Sequence, residues 1–183
     1  FNAAVNFSAL LSLVAYPIMT ALFPAFSKID PRSESNDLER MFQISVKYGS
    51  FLLIPASVIV AVLSKDLVST IYGSGYGSAS LYLSIYVGVS LLAGFGSLIL
   101  GPLFNGIGET KQTLKITIVT AALFLPAAPL MAQAYQVTGL IVAFIASNLA
   151  GTAYGLKTAN KKFDLKLDLN SSLRIYLASA ISI

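Results

Sequence analysis

Ile116–Ala134 reads ITIVTAALFLPAAPLMAQA, and Gly139–Leu156 follows almost at once as GLIVAFIASNLAGTAYGL. Neither stretch carries a charge. A bilayer core about 30 Å thick is crossed by roughly 20 apolar residues wound as a helix. The two runs, joined only by the loop Gln133–Thr138, therefore read as a pair of membrane-crossing helices. Similar runs lie upstream over 3–26, 42–63 and 79–104, and another begins at 173 and continues to 183. None holds an acidic residue. The chain as a whole is 56% hydrophobic and 11% charged, where soluble domains are nearer a quarter charged. The expected fold class is all-α, an integral membrane helical bundle of five complete spans and a sixth that has only begun.

The first residue is Phe1 and the last, Ile183, lies inside an apolar run, so the sequence reads as a segment of a longer protein. Ala3–Phe26 is too long for a secretory signal and lacks the basic leader of one. The chain has no Cys, His or Trp, which excludes disulfides, thiolate or imidazole metal sites and Cys- or His-based catalysis within it. Asp66 and Glu109 stand isolated among the remaining acids. No cofactor is expected, and the chain is not expected to be an enzyme.

The net charge of +4 points to topology and away from nucleic acid. Loops between spans must alternate between the two sides, and Lys and Arg gather on the cytoplasmic side. Loops 27–40, 105–115 and 157–172 with their helix ends hold Lys28, Arg32, Arg40, Lys47, Lys111, Lys115, Lys157, Lys161, Lys162, Lys166 and Arg174; the other two loops hold Lys65 alone. The expectation is a multi-pass cell-membrane protein with those three loops cytoplasmic.

Within the first run, a projection at 100° per residue gathers Asn2, Asn6, Ser12, Tyr16 and Thr20 into about a third of the circle. Phe7, Leu10, Leu11, Val14, Ile18 and Leu22 lie opposite. Polar side chains at membrane depth face either a bundle interior or a water-filled cavity, so Asn2, Asn6, Tyr16 and Thr20 are candidate cavity residues, with hydrogen bonding to neighbouring helices as the alternative. Lys47 lies about one turn inside its run. It either snorkels to the interface or meets an anionic head group such as a diphosphate at the cytoplasmic mouth. Pro17, Pro24, Pro55 and Pro126 each remove a backbone donor and are expected to kink or end a helix.

Small residues recur every fourth position as Ser80, Ser84 and Gly88, as Ser97, Gly101 and Asn105, and as Ser147, Gly151 and Gly155. That spacing predicts close helix packing, with Asn148 and Thr152 on a neighbouring stripe as interhelical hydrogen-bond partners. Gly73, Gly75 and Gly77 follow no strand and read as a turn, not a phosphate loop. The sequon Asn170–Ser171–Ser172 falls on the side assigned to the cytoplasm.

The order of several short motifs resembles one family. Leu22-Phe23-Pro24-Ala25-Phe26-Ser27 closes a helix, a charged loop follows, and the next helix contains Pro55. Ile71-Tyr72-Gly73 with Tyr76, and then Asn105-Gly106-Ile107-Gly108-Glu109-Thr110-Lys111, complete the series. This arrangement resembles the carboxy-terminal half of the polysaccharide biosynthesis flippases, within the multidrug/oligosaccharidyl-lipid/polysaccharide exporter superfamily. The resemblance implies two six-helix lobes around a central cavity, with this chain supplying part of the second lobe. It implies flipping of a lipid-linked oligosaccharide or polysaccharide precursor from the cytoplasmic to the outer leaflet by alternating access. The implied partners are that lipid-linked glycan, the membrane lipids and a missing amino-terminal lobe. A cation-coupled multidrug exporter is the alternative within the superfamily, and a membrane-embedded transferase the alternative outside it.

Overall fold

The computed structural model describes residues 2–73 and 77–181; the side chains of residues 2–11, 14, 77, 78, 169, 180 and 181 lie outside the description. Among the described residues every regular element is helical. The first two are α1 (Asn2–Phe26) and α2 (Ser35–Val62), and Pro17, Pro24 and Pro55 lie within continuous helix. A short helix α3 (Ser64–Tyr72) occupies most of the second loop.

The third run is broken into pieces. It consists of α4 (Gly77–Tyr86), α5 (Gly88–Leu91), a 3₁₀ turn (Leu92–Phe95) and α6 (Ser97–Gly106), and the pieces before and after Gly96 meet at a bend of 51°. Gly96 is left-handed, with φ 79°, and a Cβ there would also press on Val46 Cγ2 at 3.3 Å and Phe42 Cζ at 3.4 Å. A bend frees backbone carbonyls, which a membrane interior leaves no water to satisfy. Hydroxyls from two other helices take them up. Ser50 of α2 adds a second donor, at 3.1 Å, to the Ala93 carbonyl that also accepts the Gly96 N–H at 2.8 Å, and bonds Val46 as well. Ser172 donates to the Gly94 carbonyl at 2.7 Å, and the Tyr176 hydroxyl donates to the Leu91 carbonyl.

Next comes α7 (Thr110–Phe163), 54 residues with Pro126 inside it. Straight, it would measure about 80 Å at 1.5 Å per residue, far more than a bilayer. It is folded back on itself at Tyr135 (φ −129°, ψ 15°) and Gln136 (φ 52°, ψ −132°). A Cβ on Gly139 would lie 2.1 Å from the Met131 carbonyl oxygen; one on Gly151 would lie 2.0 Å from Thr120 Oγ1, and one on Gly155 2.8 Å from Ile116 Cδ1. These three pairs are spaced evenly about the break, so the two arms run antiparallel with glycines at their closest approach. Tyr86 of α4 stacks on Phe144 at 5.7 Å, and Phe124 of the first arm meets the same ring edge-on at 5.6 Å.

The last element, α8 (Leu169–Ile181), packs on α2 and on the 3₁₀ turn. Asp168 starts it by accepting the Ser171 N–H on its carboxylate at 3.2 Å, as an N-cap residue does. At one end of the bundle, Phe26, Leu38, Phe42, Leu103, Phe104, Ala159 and Leu165 form a buried core. The chain segments after α1, α6 and α7 therefore meet at one end. Glu109 pairs there with Lys162 at 3.0 Å, and Gln43 and Glu39 bond the backbone of Lys166. At the other end Val68, Leu83 and Val87 close a smaller cluster, and Ser64 and Ser84 share a hydrogen bond of 2.7 Å.

Candidate functional site

The face of α1 that carries Tyr16 and Thr20 borders a groove of about 420 Å³, whose other wall is Gly101, Pro102 and Asn105 of α6 with Thr113 of α7. Thr113 donates to the Asn105 side-chain carbonyl at 2.9 Å. Thr20 turns its hydroxyl back onto its own helix, donating to the carbonyls of Tyr16 and Pro17, while Tyr16 is 69% exposed. The side chains of Asn2 and Asn6 lie outside the described residues; their backbone belongs to α1.

Through Met19 this groove adjoins a second pocket of about 340 Å³, bordered by Ser12 of α1, Leu53 of α2, Tyr86 and Ser90, Ser97 of α6, and Phe144 with Asn148 of α7. The two together make an open track along α1, its walls largely apolar and set with the polar side chains of Ser12, Tyr16, Ser90, Ser97 and Asn148. The stripe Ser97, Gly101 and Asn105 runs along both, and a Cβ on Gly101 would meet nothing within 4 Å. This stripe therefore opens onto space, unlike the tight packing expected from its spacing. The stripe Ser147, Gly151 and Gly155 is buried in the α7 hairpin as the spacing predicts. Asn148 and Thr152 bond the carbonyls of Phe144 and Asn148 in their own helix, not a neighbouring one.

Lys47 occupies a different face. With Phe51 and Pro55 of α2 it lines a cleft of about 430 Å³ against Ser171, Arg174, Ile175 and Ala178 of α8. Two cations thus stand at a cleft whose remaining walls are largely apolar. On its other side Lys47 borders a smaller pocket with Gln43, Asp168, Ser171 and Ser172. The Asp168 carboxyl is held below its ordinary range by the Ser171 hydroxyl and N–H, with the Lys47 ammonium adding to the effect. In the sequence Arg174 reads as a loop-end charge; only the docking of α8 on α2 brings it to the cleft that Lys47 lines. Glu109 is likewise held below its ordinary range, first by the Lys162 hydrogen bond and then by the Gln112 amide. It is spent on joining α6 to the end of α7. Among the described residues no group of three His, Cys, Asp or Glu is placed to hold a metal.

Residues 1–183, the whole chain, match the family described as Lipid II flippase MurJ. Among similar curated proteins, "Probable lipid II flippase MurJ" of Bdellovibrio bacteriovorus is 24% identical over 179 residues, covering 93% of this chain and 34% of its own length. "Probable low-salt glycan biosynthesis flippase Agl15" of Haloferax volcanii is 22% identical over 143 residues, covering 78% of this chain and 30% of its own length. A solved structure described as Lipid II flippase MurJ in an inward closed conformation superposes with a TM-score of 0.81 at 18% identity, over 97% of this chain and 38% of that one. The likeness establishes a shared membrane-helix fold, and the chain spans about a third of the length of these relatives. On the match along its whole length, within the superfamily that its motifs resemble, the chain belongs to the MurJ lipid II flippase family.

Proposed function

We propose that the chain is part of the carboxy-terminal lobe of a transporter that flips a lipid-linked glycan precursor from the cytoplasmic to the outer leaflet by alternating access. The observation that carries this reading is the open track along α1, where polar side chains stand among apolar walls. A structural bundle has no use for polar side chains along an open groove between apolar helices, whereas a glycan head group crossing the bilayer needs them. Asn2, Asn6, Tyr16 and Thr20 are then the cavity side of α1, facing an amino-terminal lobe elsewhere in the whole protein, and the lipid tail stays in the membrane. The chain carries no catalytic step.

Lys47 and Arg174 serve as the head-group mouth, because two cations at the edge of an apolar cleft suit a diphosphate on a prenyl chain. The loops 27–40, 105–115 and 157–172 are cytoplasmic, a reading supported by eleven of the twelve basic residues and by the meeting of those segments at one end of the bundle. Pro17, Pro24, Pro55 and Pro126 soften their helices for the change of access. The test is complementation in a strain depleted of its own flippase, with full-length protein carrying Asn6→Leu and Tyr16→Phe. Lost glycan export at normal protein levels is expected; undiminished export would remove α1 from the pathway. Thiol labelling of Ser33→Cys and Ser69→Cys from outside intact cells should mark the second alone.

A further inference from the structure

Many hydroxyls of the apolar helices are satisfied within their own helix. Ser50, Ser84, Thr117, Ser147, Thr152 and Thr158 each donate to the carbonyl four residues earlier in their own helix. That is the default where no water is at hand. Ser57 Oγ departs from it singly, buried without a partner among the described residues, whereas several such groups gather around the 340 Å³ pocket beside the broken third span. Among the described residues Ser12 Oγ, Tyr86 Oη, Ser90 Oγ and Ser97 Oγ make no hydrogen bond, and Asn148 uses its amide nitrogen on Phe144 and leaves Oδ1 without one. The side chains that carry these five oxygens, from α1, α4, α5, α6 and α7, thus border one space, among apolar neighbours.

Polar groups left unmatched at membrane depth are costly, so such a constellation persists where something fills it. The occupant must be neutral, because no charged side chain lines the pocket. It must also offer several donors and acceptors, since the wall supplies four hydroxyls that do either and one carbonyl that only accepts. At 340 Å³ the space is at the lower end of the roughly 300–1,000 Å³ of small-molecule sites, too large for a single water or ion.

We propose that this pocket, walled by Ser12, Tyr86, Ser90, Ser97 and Asn148, is a glycan subsite that holds a neutral, hydroxyl-rich sugar ring of the transported lipid. The inference rests on the flippase reading above and adds a place within it. Charge and sugar are bound apart, the diphosphate at Lys47 and Arg174 and the ring inside the lobe.

The test uses purified full-length protein and two probes, a polyprenyl diphosphate and the same lipid bearing a disaccharide. Wild type is expected to bind the sugar-bearing probe more tightly. Ser97→Ala, which breaks no existing hydrogen bond, and Asn148→Ala should each weaken that probe about fivefold, the size of one lost hydrogen bond, and leave the bare diphosphate unchanged. Equal loss of both probes, or no loss of either, would overturn the subsite and leave the flippase reading standing, the second outcome marking the pocket as holding water only. Failure of wild type to bind either probe would overturn both readings. Ser147→Ala, buried in the α7 hairpin and away from the pocket, should leave both affinities unchanged.

Discussion

Ser172 of α8 reaches across to the broken third span and donates to the backbone carbonyl of Gly94 at 2.7 Å, with its own side chain buried. One turn further along α8, Tyr176 does the same for Leu91. The last helix therefore supplies hydrogen bonds that the third span has lost by bending. Ser172→Ala removes the donor and leaves a buried carbonyl bare, a loss of about 1–3 kcal/mol. A lowered unfolding temperature of the full-length protein in detergent checks this, and Ser172→Thr, which keeps the hydroxyl, should recover most of it.

At the turn of the α7 hairpin Gln136 holds φ 52°, ψ −132°, a region that glycine enters freely and other residues enter at a cost. Gln136→Gly is expected to stabilise the protein by about 1 kcal/mol, with relief of strain exceeding the added freedom of the unfolded chain. Thermal unfolding measures it.

The same hairpin leaves no room at Gly151, where a methyl would sit 2.0 Å from Thr120 Oγ1. Gly151→Ala forces the arms apart and should destabilise by about 1–3 kcal/mol, as overpacking does. If the Thr120 hydroxyl is what obstructs, Thr120→Ser leaves the defect and Thr120→Ala relieves it.

Glu109 and Lys162 tie the start of α7 to its end. Since the Glu109 pKa is lowered in the folded state, chiefly by its bond to Lys162, the stabilisation is present above the ordinary carboxylate value, about 4.3, and is lost as pH falls through the lowered one. Their side chains are 42% (Lys162) and 34% (Glu109) exposed, so screening holds the contribution to about 0.5–1 kcal/mol. Glu109→Gln should show that loss at pH 7 and a flatter acid limb when unfolding is followed from pH 6 to pH 3, with added salt shrinking the difference.

Much of the fold was legible because the bilayer imposes a length. The runs 116–134 and 139–156 are uncharged and separated by too few residues for anything but a hairpin, and its glycine seam follows from spacing. The break at Gly96 was not legible. Gly94 and Gly96 lie inside an apolar run of the right length, and nothing local distinguishes a glycine that bends from one that packs; the bend shows only through Ser50, Ser172 and Tyr176, the last two of them far along the chain. The site divides in the same way. Tyr16 and Thr20 were visible as one polar face, and Lys47 as a charge about one turn inside its run. Arg174 and the pocket wall of Ser90, Ser97 and Asn148 needed tertiary structure, because each belongs to a different segment and looks like an ordinary packing residue alone. The open floor at Gly101 shows the limit of small-residue spacing, which marks closeness or emptiness equally well.

The three glycines of α7 also act as a ruler. Thr120 faces Gly151 and Ile116 faces Gly155 only because the count of residues around Gln136 is what it is. Adding one residue between Ala134 and Gly139 would turn the second arm by about 100° relative to the first. Larger side chains such as Asn148 or Leu149 would then rotate toward the seam and the glycines out of it. Related chains should therefore tolerate many substitutions at this turn and hardly any change in its length.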